Sequence, residues 1–261
     1  MSKHQITTAT ELYYGGGYDP VLFGTNGRRG CPIHLPTRIS LGSPIAPDTN
    51  ALIVGCTSTN MPNNSTKTYS AAVTGTAAPC NDAGAPTITT ITTSTGETAT
   101  VWPLGVPRNI TTATSSAAAD TVFTITGYDY WKVKMVEAIT IASGQSATAG
   151  VKAFAYVESI AIYSAGDVTS DTATVGFGDV LGLPYKLAAK GDLISASFNG
   201  VNEAVAALVA AVTTTATAVT GDVRGTVDMT SACNGSPIII WMYVADPSTP
   251  EGLRGVAQYG G

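Results

Sequence analysis

The sequence predicts an all-β protein, an antiparallel β-sandwich or jelly-roll-like fold, from three observations. After residue 100, runs of β-branched and aromatic residues are separated by turn signals such as Gly-Asp at intervals of roughly 8–12 residues. Charged residues make up 12% of the chain, against roughly 25% in an ordinary globular domain. A pattern of Val-Glu-small-Ile-small-Ile occurs twice, at residues 136–141 and 157–162.

The repeated pattern predicts a central antiparallel hairpin whose turn lies between Ala142 and Gly150. Because successive strand side chains point to opposite faces, each copy has one largely apolar face. These faces contain Val133, Met135, Glu137, Ile139 and Ile141 in the first copy, and Phe154, Tyr156, Glu158, Ile160 and Ile162 in the second. A hairpin closed about residue 146 makes Glu137 and Glu158 diagonal neighbours, opposite Tyr156 and Met135 respectively.

The chain is predicted to consist of an extended N-terminal arm, residues 1–35, and a β-sandwich domain, residues 36–261. A division of this domain near residue 100, into a Thr-rich part and a regular β part, is an alternative. Glycine and proline interrupt any regular element in the arm, yet the arm is too apolar for a free tail. The Pro/Gly-rich C-terminal tail begins at Asp246.

Three segments need individual interpretation. The Thr-rich run at residues 87–95 predicts an ordinary strand and loop rather than an ice-binding ladder or a glycosylated stalk. Residues 201–217 favour a strand, with a helix opened by Asn202 and Glu203 as the alternative. Residues 238–244 predict a strand buried on both faces, which places Trp241 in the core.

Composition argues against several classes of function. The net charge is −5 and the basic residues are scattered, so nothing resembles a nucleic-acid footprint. The longest apolar runs fall far short of the roughly 20 residues that a membrane span needs. The first residues lack the apolar segment of a signal peptide, which predicts a protein made and kept inside the cell until lysis.

No catalytic, metal or cofactor site is predicted. The four cysteines, Cys31, Cys56, Cys80 and Cys233, form no CxxC motif, and we expect them to be reduced. A Ser-His-Asp or Cys-His site would require His4 or His34, both in Gly/Pro-rich sequence. The Glu137 and Glu158 pair could serve a glycosidase, but the simpler interpretation is that each carboxylate is exposed or takes a hydrogen bond or cation from a neighbour.

Several short motifs are distinctive: Val106-Pro107-Arg108-Asn109-Ile110-Thr111, residues 124–129, residues 136–140, residues 178–184, residues 220–226 and the ending at residues 255–259. In this order along the chain they resemble virion structural proteins of tailed bacteriophages, as in marine and cyanobacterial podovirus-like phages. The resemblance covers residues 100–261 and the Tyr/Gly-rich start. It implies a non-enzymatic decoration (cement) protein on the capsid exterior, often a homotrimer, assembled in the host cytoplasm.

The partners expected from this resemblance are the major capsid protein and further copies of the chain. The residues predicted to make these contacts are Tyr13, Tyr14, Tyr18 and Phe23 in the arm, and Leu253 and Tyr259 in the tail. The alternative is a tail, fibre or knob component that binds a host receptor or glycan, for which exposed tryptophans such as Trp102 or Trp131 would be markers. A carbohydrate-active enzyme is a third hypothesis and rests only on the two glutamates.

Overall fold

The computed structural model describes residues 36–56, 64–72, 87–115, 120–165, 172–244 and 250–261. The predicted N-terminal arm lies outside these ranges. The first seven strands are β1 (Pro36–Gly42), β2 (Asp48–Cys56), β3 (Thr66–Ser70), β4 (Thr89–Thr92), β5 (Thr98–Thr114), β6 (Thr121–Tyr128) and β7 (Lys134–Ile141). The next seven are β8 (Ala147–Ser164), β9 (Ala173–Gly182), β10 (Leu193–Phe198), β11 (Val201–Glu203), β12 (Val205–Ala210), β13 (Gly225–Met229) and β14 (Ile238–Tyr243).

The strands form two antiparallel sheets, which confirms the predicted all-β, sandwich-like fold class. The smaller sheet has the order β1-β14-β10-β11. The ten-stranded sheet has the order β12-β13-β9-β5-β8-β6-β7, with β2 added on β9, β3 on β8 and β4 on β5. Helical structure in the described ranges is limited to a 3₁₀ turn (Lys190–Asp192) and the five-residue helix α1 (Pro250–Arg254). Neither helix approaches the length and apolar content of a membrane span.

Two large apolar cores, and a smaller cluster around Val101 and Tyr128, hold the described parts of the sheets together. The large sheet curls around the first core, to which β6 and β8 contribute Phe123, Ile125, Phe154 and Ile160 with no exposed surface. The second core lies between the small sheet and the β9–β13 part of the large sheet. Its most buried members are Leu181, Leu187, Val227, Ile238, Ile240 and Met242. Burying one such side chain contributes about 1.5–3 kcal/mol, so the cores outweigh any single surface contact.

The predicted central hairpin is wrong in its pairing, because β6 lies between β7 and β8. Glu137 pairs with Ile125 of β6, whereas Tyr156 of β8 pairs with Tyr128 of β6. The physical reason is local: β6 and β7 are joined by a tight turn in which the Asp129 carboxylate accepts two backbone N–H bonds. This turn places β7 directly beside β6, and β8 pairs with the other side of β6.

Strand β8 also departs from simple alternation. The β6–β8 register changes by one residue between Thr126 and Gly127 of β6, so Glu158 of β8 has no partner on β6. Val157, rather than Glu158, points into the core. A second register change occurs between β8 and β5. Asn109 pairs with Ala153 and Thr111 with Ala149, so two residues along β5 correspond to four residues along β8. Residues 150–152 therefore bulge away from β5.

The remaining strand predictions have mixed outcomes. Residues 87–95 form β4 and a turn, as predicted. The strand predicted over residues 201–217 is confirmed for β11 and β12 but ends at Ala210. Strand β14 is buried on one face only, and Trp241 is 41% exposed rather than part of the core. No described element covers the outer face of the small sheet, so the side chains on that face are accessible.

Candidate interaction surface

The outer face of the small sheet combines an aromatic ridge with arginine and hydroxyl side chains. Ile238, Ile240 and Met242 of β14 point into the second core, so the alternate residues point outward. The outward residues are Ile239, Trp241 and Tyr243 of β14, with Arg38 and Ser40 of β1 on one side and Ser195 and Ser197 of β10 on the other. We call these seven residues the Trp241 face.

The register sets the centre of the Trp241 face. Trp241 lies between Arg38 of β1 and Ser195 of β10, which are its cross-strand partners. Ile194 lies at a register irregularity in β10 and is 46% exposed, so it extends the apolar area next to Ser195. Trp, Tyr and Arg are the residue types enriched at the energetic centres of protein interfaces. The arrangement is therefore suited to bury a tryptophan against another protein.

Sequence reasoning missed this surface because residues 238–244 are apolar without interruption. Alternation cannot assign faces in such a run. The one usable signal was Trp241 itself, because a tryptophan needs a partner for its indole N–H or an accessible position.

The large sheet, on which the small sheet packs, contains a buried ion pair. Oδ2 of Asp129 accepts a bond of 2.8 Å from Nη1 of Arg224 and one of 3.1 Å from Nε2 of Gln258. Arg224 also donates from Nε to the carbonyl of Leu183. These bonds join the β6–β7 turn, the start of β13, the end of β9 and the C-terminal tail. Because the carboxylate is fully buried, each partner matters for stability.

Arg108 makes a second set of buried contacts in the large sheet. Its guanidinium donates to the carbonyls of Gly178 and Ile45 and lies 4.4 Å from the centre of the Phe177 ring. The carboxylate of Asp179 is 3.4 Å away and 26% exposed. Burial lowers the pKa of Arg108, whereas Asp179 opposes this change. Arg108 therefore connects β5 to β9 and to the loop before β2.

Glu137 stabilises the bulge in β8. Its Oε1 accepts the backbone N–H groups of Val151 and Lys152 at 2.6 and 3.1 Å, which the bulge has released from β5. Its Oε2 is buried and has no hydrogen-bond partner. Burial raises the pKa of Glu137 to about 7, although the two N–H bonds and the Lys152 ammonium act in the opposite direction.

Lys152 is fully buried and connects β8 to the edge of the large sheet. Its ammonium donates to the carbonyls of Val136 and Thr217 at 2.9 and 2.6 Å. The Tyr259 ring lies 5.7 Å from Nζ, within the range of a cation–π contact. Burial lowers the pKa of Lys152, while Glu137 raises it.

The two glutamates have separate hydrogen-bond partners. Glu158 accepts a bond from the Tyr128 hydroxyl and forms a surface ion pair of 3.0 Å with Lys134. Burial, followed by the charge of Glu158, raises the pKa of Tyr128 to about 12. Glu137 instead binds the backbone of the β8 bulge. Each carboxylate has its own local partners, as the simpler interpretation of the sequence expected.

The predicted partner-contact residues have different positions. Tyr13, Tyr14, Tyr18 and Phe23 lie outside the described residues. Leu253 is half-buried in α1, and its carbonyl accepts the N–H of Lys186. Tyr259 is 43% exposed, and its carbonyl accepts the N–H of Val136 on β7. The tail thus lies on its own domain, and a contact between these residues and a partner stays a prediction.

The other tryptophans are largely covered. Trp102 is 7% exposed in the first core. Trp131 is half-buried, donates from Nε1 to the carbonyl of Pro184 at 2.8 Å, and lies beneath the Arg254 guanidinium at 4.0 Å. Of the three tryptophans, the one predicted to be buried is therefore the most exposed.

A cavity of about 380 Å³ lies beside the small sheet, between β1, β5, β8 and the end of β9. Tyr130, which is 48% exposed, and Tyr156 form its aromatic walls. Pro103, Pro107 and Pro184 supply most of the remaining rigid surface, and no charged residue lines it. The cavity suits a neutral ligand that can stack on a tyrosine ring.

The described ranges also bear on the expectations for metal ligands and cysteines. Those ranges contain no group of three His, Cys, Asp or Glu side chains able to hold a metal ion. Cys233 is a free, buried thiol whose pKa is raised to about 12 by burial and by Asp179. Cys31 and Cys80 lie outside the described residues, as does the side chain of Cys56.

Comparison with known proteins does not identify the chain. It matches no protein-family model, no curated protein and no solved structure.

Proposed function

We propose that this chain is a non-enzymatic structural protein of a tailed-phage virion, which decorates and stabilises the capsid exterior through protein–protein contacts. The observation that carries the proposal is the Trp241 face. A tryptophan at 41% exposure, with Ile239 and Tyr243 along the same strand and Arg38 alongside, is unfavourable for a surface that meets only water. Burial against capsid protein would make this surface favourable.

The composition and the interior support the same function. With 12% charged residues, the chain has little charge to desolvate when it binds another protein. The buried contacts of Asp129–Arg224 and Arg108 join distant parts of the large sheet, and the second core packs the small sheet on it, so the binding face has a fixed support. A rigid face loses less conformational entropy on association.

The N-terminal arm is proposed to make further contacts with the capsid. The apolar residues of the N-terminal arm would provide a second set of anchors, namely Tyr13, Tyr14, Tyr18 and Phe23, with the major capsid protein as the partner. The homotrimer implied by the sequence resemblance remains a prediction.

The proposal is tested by adding purified protein to phage heads that lack it and measuring occupancy after sedimentation. We expect Trp241→Ala and deletion of residues 1–25 to reduce occupancy at least tenfold, a loss of about 1.4 kcal/mol or more. Val219→Ala is the matched control, since Val219 is 71% exposed in a turn away from the Trp241 face. Normal occupancy of the Trp241→Ala protein would contradict the assignment of this face.

A second function is favoured by the cavity beside Tyr130. A tail, fibre or knob component could bind a neutral host glycan by stacking a sugar ring on Tyr130 or Tyr156. Gold labelling of the C-terminus on virions distinguishes the two functions, because the first places label on heads and the second on tails. Glycan-array binding that disappears in Tyr130→Ala would favour the second.

A further inference from the structure

We propose that the turn between β10 and β11 is a site of spontaneous covalent modification, where Asn199 loses its side-chain amide to attack by the backbone nitrogen of Gly200. Asparagine is one of the chemically labile residues of proteins. The reaction is fastest before glycine, because a residue without a Cβ leaves its backbone nitrogen open to the neighbouring side chain. This inference is independent of the proposed role in a virion.

The reaction balances with water as the only other reactant. The backbone nitrogen of Gly200 gives up its proton to a base in solution, and its electron pair forms a bond to Cγ of Asn199. The C–N bond of the side-chain amide then breaks, and the amide nitrogen takes up a proton and leaves as ammonia. Water adds to one of the two carbonyls of the resulting cyclic imide and opens the ring to aspartate or isoaspartate.

The sequence contains three Asn-Gly pairs, and two of them can be compared in the structure. Asn26-Gly27 lies outside the described residues. Asn199-Gly200 and Asn234-Gly235 are both exposed. An added Cβ would meet no atom within 4 Å at either glycine. Both pairs are therefore open to water and have free space around the glycine, so exposure does not distinguish them.

Hydrogen bonds hold the Asn234-Gly235 pair in an unreactive arrangement. The N–H of Gly235 donates to the carbonyl of Pro44 at 2.8 Å, so the attacking nitrogen is occupied. Oδ1 of Asn234 accepts the N–H of Ser236 at 3.0 Å, so the side chain is held toward residue 236. The first bond must break before the nitrogen can react, and the second restrains the side chain that has to turn toward it.

The Asn199-Gly200 pair has neither restraint within the part of the chain that the structure describes. Its φ angles are +51° and +80°, the positive values that a two-residue type I′ turn requires. The cross-strand pair that closes this turn is Phe198 and Val201. The N–H of Asn199 donates to the carbonyl of Pro237 at 2.9 Å, but that bond engages neither reacting atom. The side-chain amide and the glycine nitrogen therefore remain available to each other.

The modification should change the turn more through its backbone than through its charge. When the imide opens to isoaspartate, the main chain runs through the former side chain and gains one methylene group. A two-residue type I′ turn cannot take up this extra atom and keep its match to the twist of the flanking strands. Strand β11 has three residues, all paired with β10, so it should detach, whereas β10 stays paired with β14.

The test follows both Asn-Gly pairs in the full chain during incubation at mildly alkaline pH, which favours loss of the proton from the glycine nitrogen. Trypsin separates the two pairs, because residues 191–224 and residues 225–254 are different tryptic peptides. Mass spectrometry then measures the conversion of amide to acid in each peptide. We expect Asn199 to react at least about tenfold faster than Asn234, since two hydrogen bonds must be lost at the slower site.

Unfolding in urea separates the effect of the fold from that of the local sequence. Both pairs should react at similar rates in the unfolded chain, where these hydrogen bonds are lost. Asn199→Gly removes the reacting amide and keeps a Gly-Gly sequence that suits the turn, so residues 191–224 should stay unmodified. This variant also detects any reaction at Asn202, the other asparagine of that peptide.

Asn199→Asp separates the charge of the product from its backbone length. It adds a carboxylate, but Asp-Gly still suits a type I′ turn, so hydrogen exchange in β11 should stay as in the unmodified protein. The isoaspartate form should exchange faster in β11. Three results would overturn the proposal: equal rates for the two pairs in the folded protein, the same difference between them in urea, or continued modification of residues 191–224 in Asn199→Gly.

Discussion

Asp129 and Arg224 form an ion pair of 2.8 Å between side chains that are 0% and 3% exposed, although 95 positions separate them in the sequence. Removing one member of a buried pair leaves the other charge without compensation. We therefore expect Arg224→Met to lower the free energy of unfolding by about 3–5 kcal/mol. Urea unfolding at neutral pH measures this change.

The surface pair Lys134–Glu158 provides the matched control. Its side chains are 44% and 28% exposed, so water already solvates both charges. Lys134→Met should lower the free energy of unfolding by no more than about 1 kcal/mol. Similar losses in the two variants would mean that Asp129 does not depend on Arg224.

The fold class could be predicted because its signals are local. Alternation in a strand such as β6, where Phe123 and Ile125 are fully buried between partly exposed neighbours, involves only adjacent residues. The pairing partner of each strand could not be predicted in this way. The sequence contains the repeat around Glu137 and Glu158 but no local signal that β6 would lie between the two copies.

The candidate surface was harder to predict than the fold. Trp241 lies in an apolar run in which either face could be the buried one. Its orientation depends on the second core, which forms between strands far apart in the chain. The buried tie between Asp129 and Arg224 likewise requires knowledge of which turn meets which strand. Such long-range information is absent from residue patterns.

Glu137 should make stability depend on pH between about 4.5 and 7. Burial raises its pKa from the usual 4.5 to about 7, so the folded protein retains a proton that the unfolded chain has lost. The resulting stability is complete below pH 4.5 and is lost as the pH rises through 7, by about 3 kcal/mol at most. Lys152 and Asp222, the nearby charged groups, modify this in opposite directions.

Glu137→Gln tests this dependence because glutamine cannot ionise but keeps a carbonyl oxygen for the N–H groups of Val151 and Lys152. We expect a folded protein whose free energy of unfolding changes less between pH 5 and 8 than that of the wild type. Chemical unfolding at a series of pH values measures the difference. Glu158→Gln is the control, since this carboxylate is partly exposed. An unchanged pH profile in Glu137→Gln would contradict the assignment.

Deletion of residues 256–261 should loosen the edge of the large sheet. The tail provides the Tyr259 carbonyl for Val136 and the Gln258 amide for Asp129. Losing a hydrogen bond to a buried charge lowers the free energy of unfolding by about 2 kcal/mol. Hydrogen exchange should accelerate at Val136, whereas Ala138, bonded to Ala218, should remain protected.

The same experiment separates the backbone of the tail from its side chain. Tyr259→Ala keeps the carbonyl bond to Val136 and removes only the ring over Lys152. We expect a smaller loss of stability than in the deletion, about 0.5–1 kcal/mol. Equal exchange rates at Val136 in the deletion and the wild type would show that the tail does not protect this edge.

Gly225 should be intolerant of alanine because two effects combine at this position. Its φ is +92°, a conformation that residues with a Cβ rarely adopt. A Cβ would also lie 2.5 Å from the carbonyl oxygen of Val209, so β12 would have to move. Gly144 is a matched control, with φ of +91° and no atom within 4 Å of the added Cβ.

Gly144→Ala should lower the free energy of unfolding by about 1 kcal/mol, the cost of the left-handed conformation alone. Gly225→Ala should lower it by clearly more, about 3 kcal/mol, since overpacking adds to the backbone strain. Thermal unfolding of the two variants side by side measures the difference. Equal stability of the two variants would mean that β12 can shift away from Gly225 without loss.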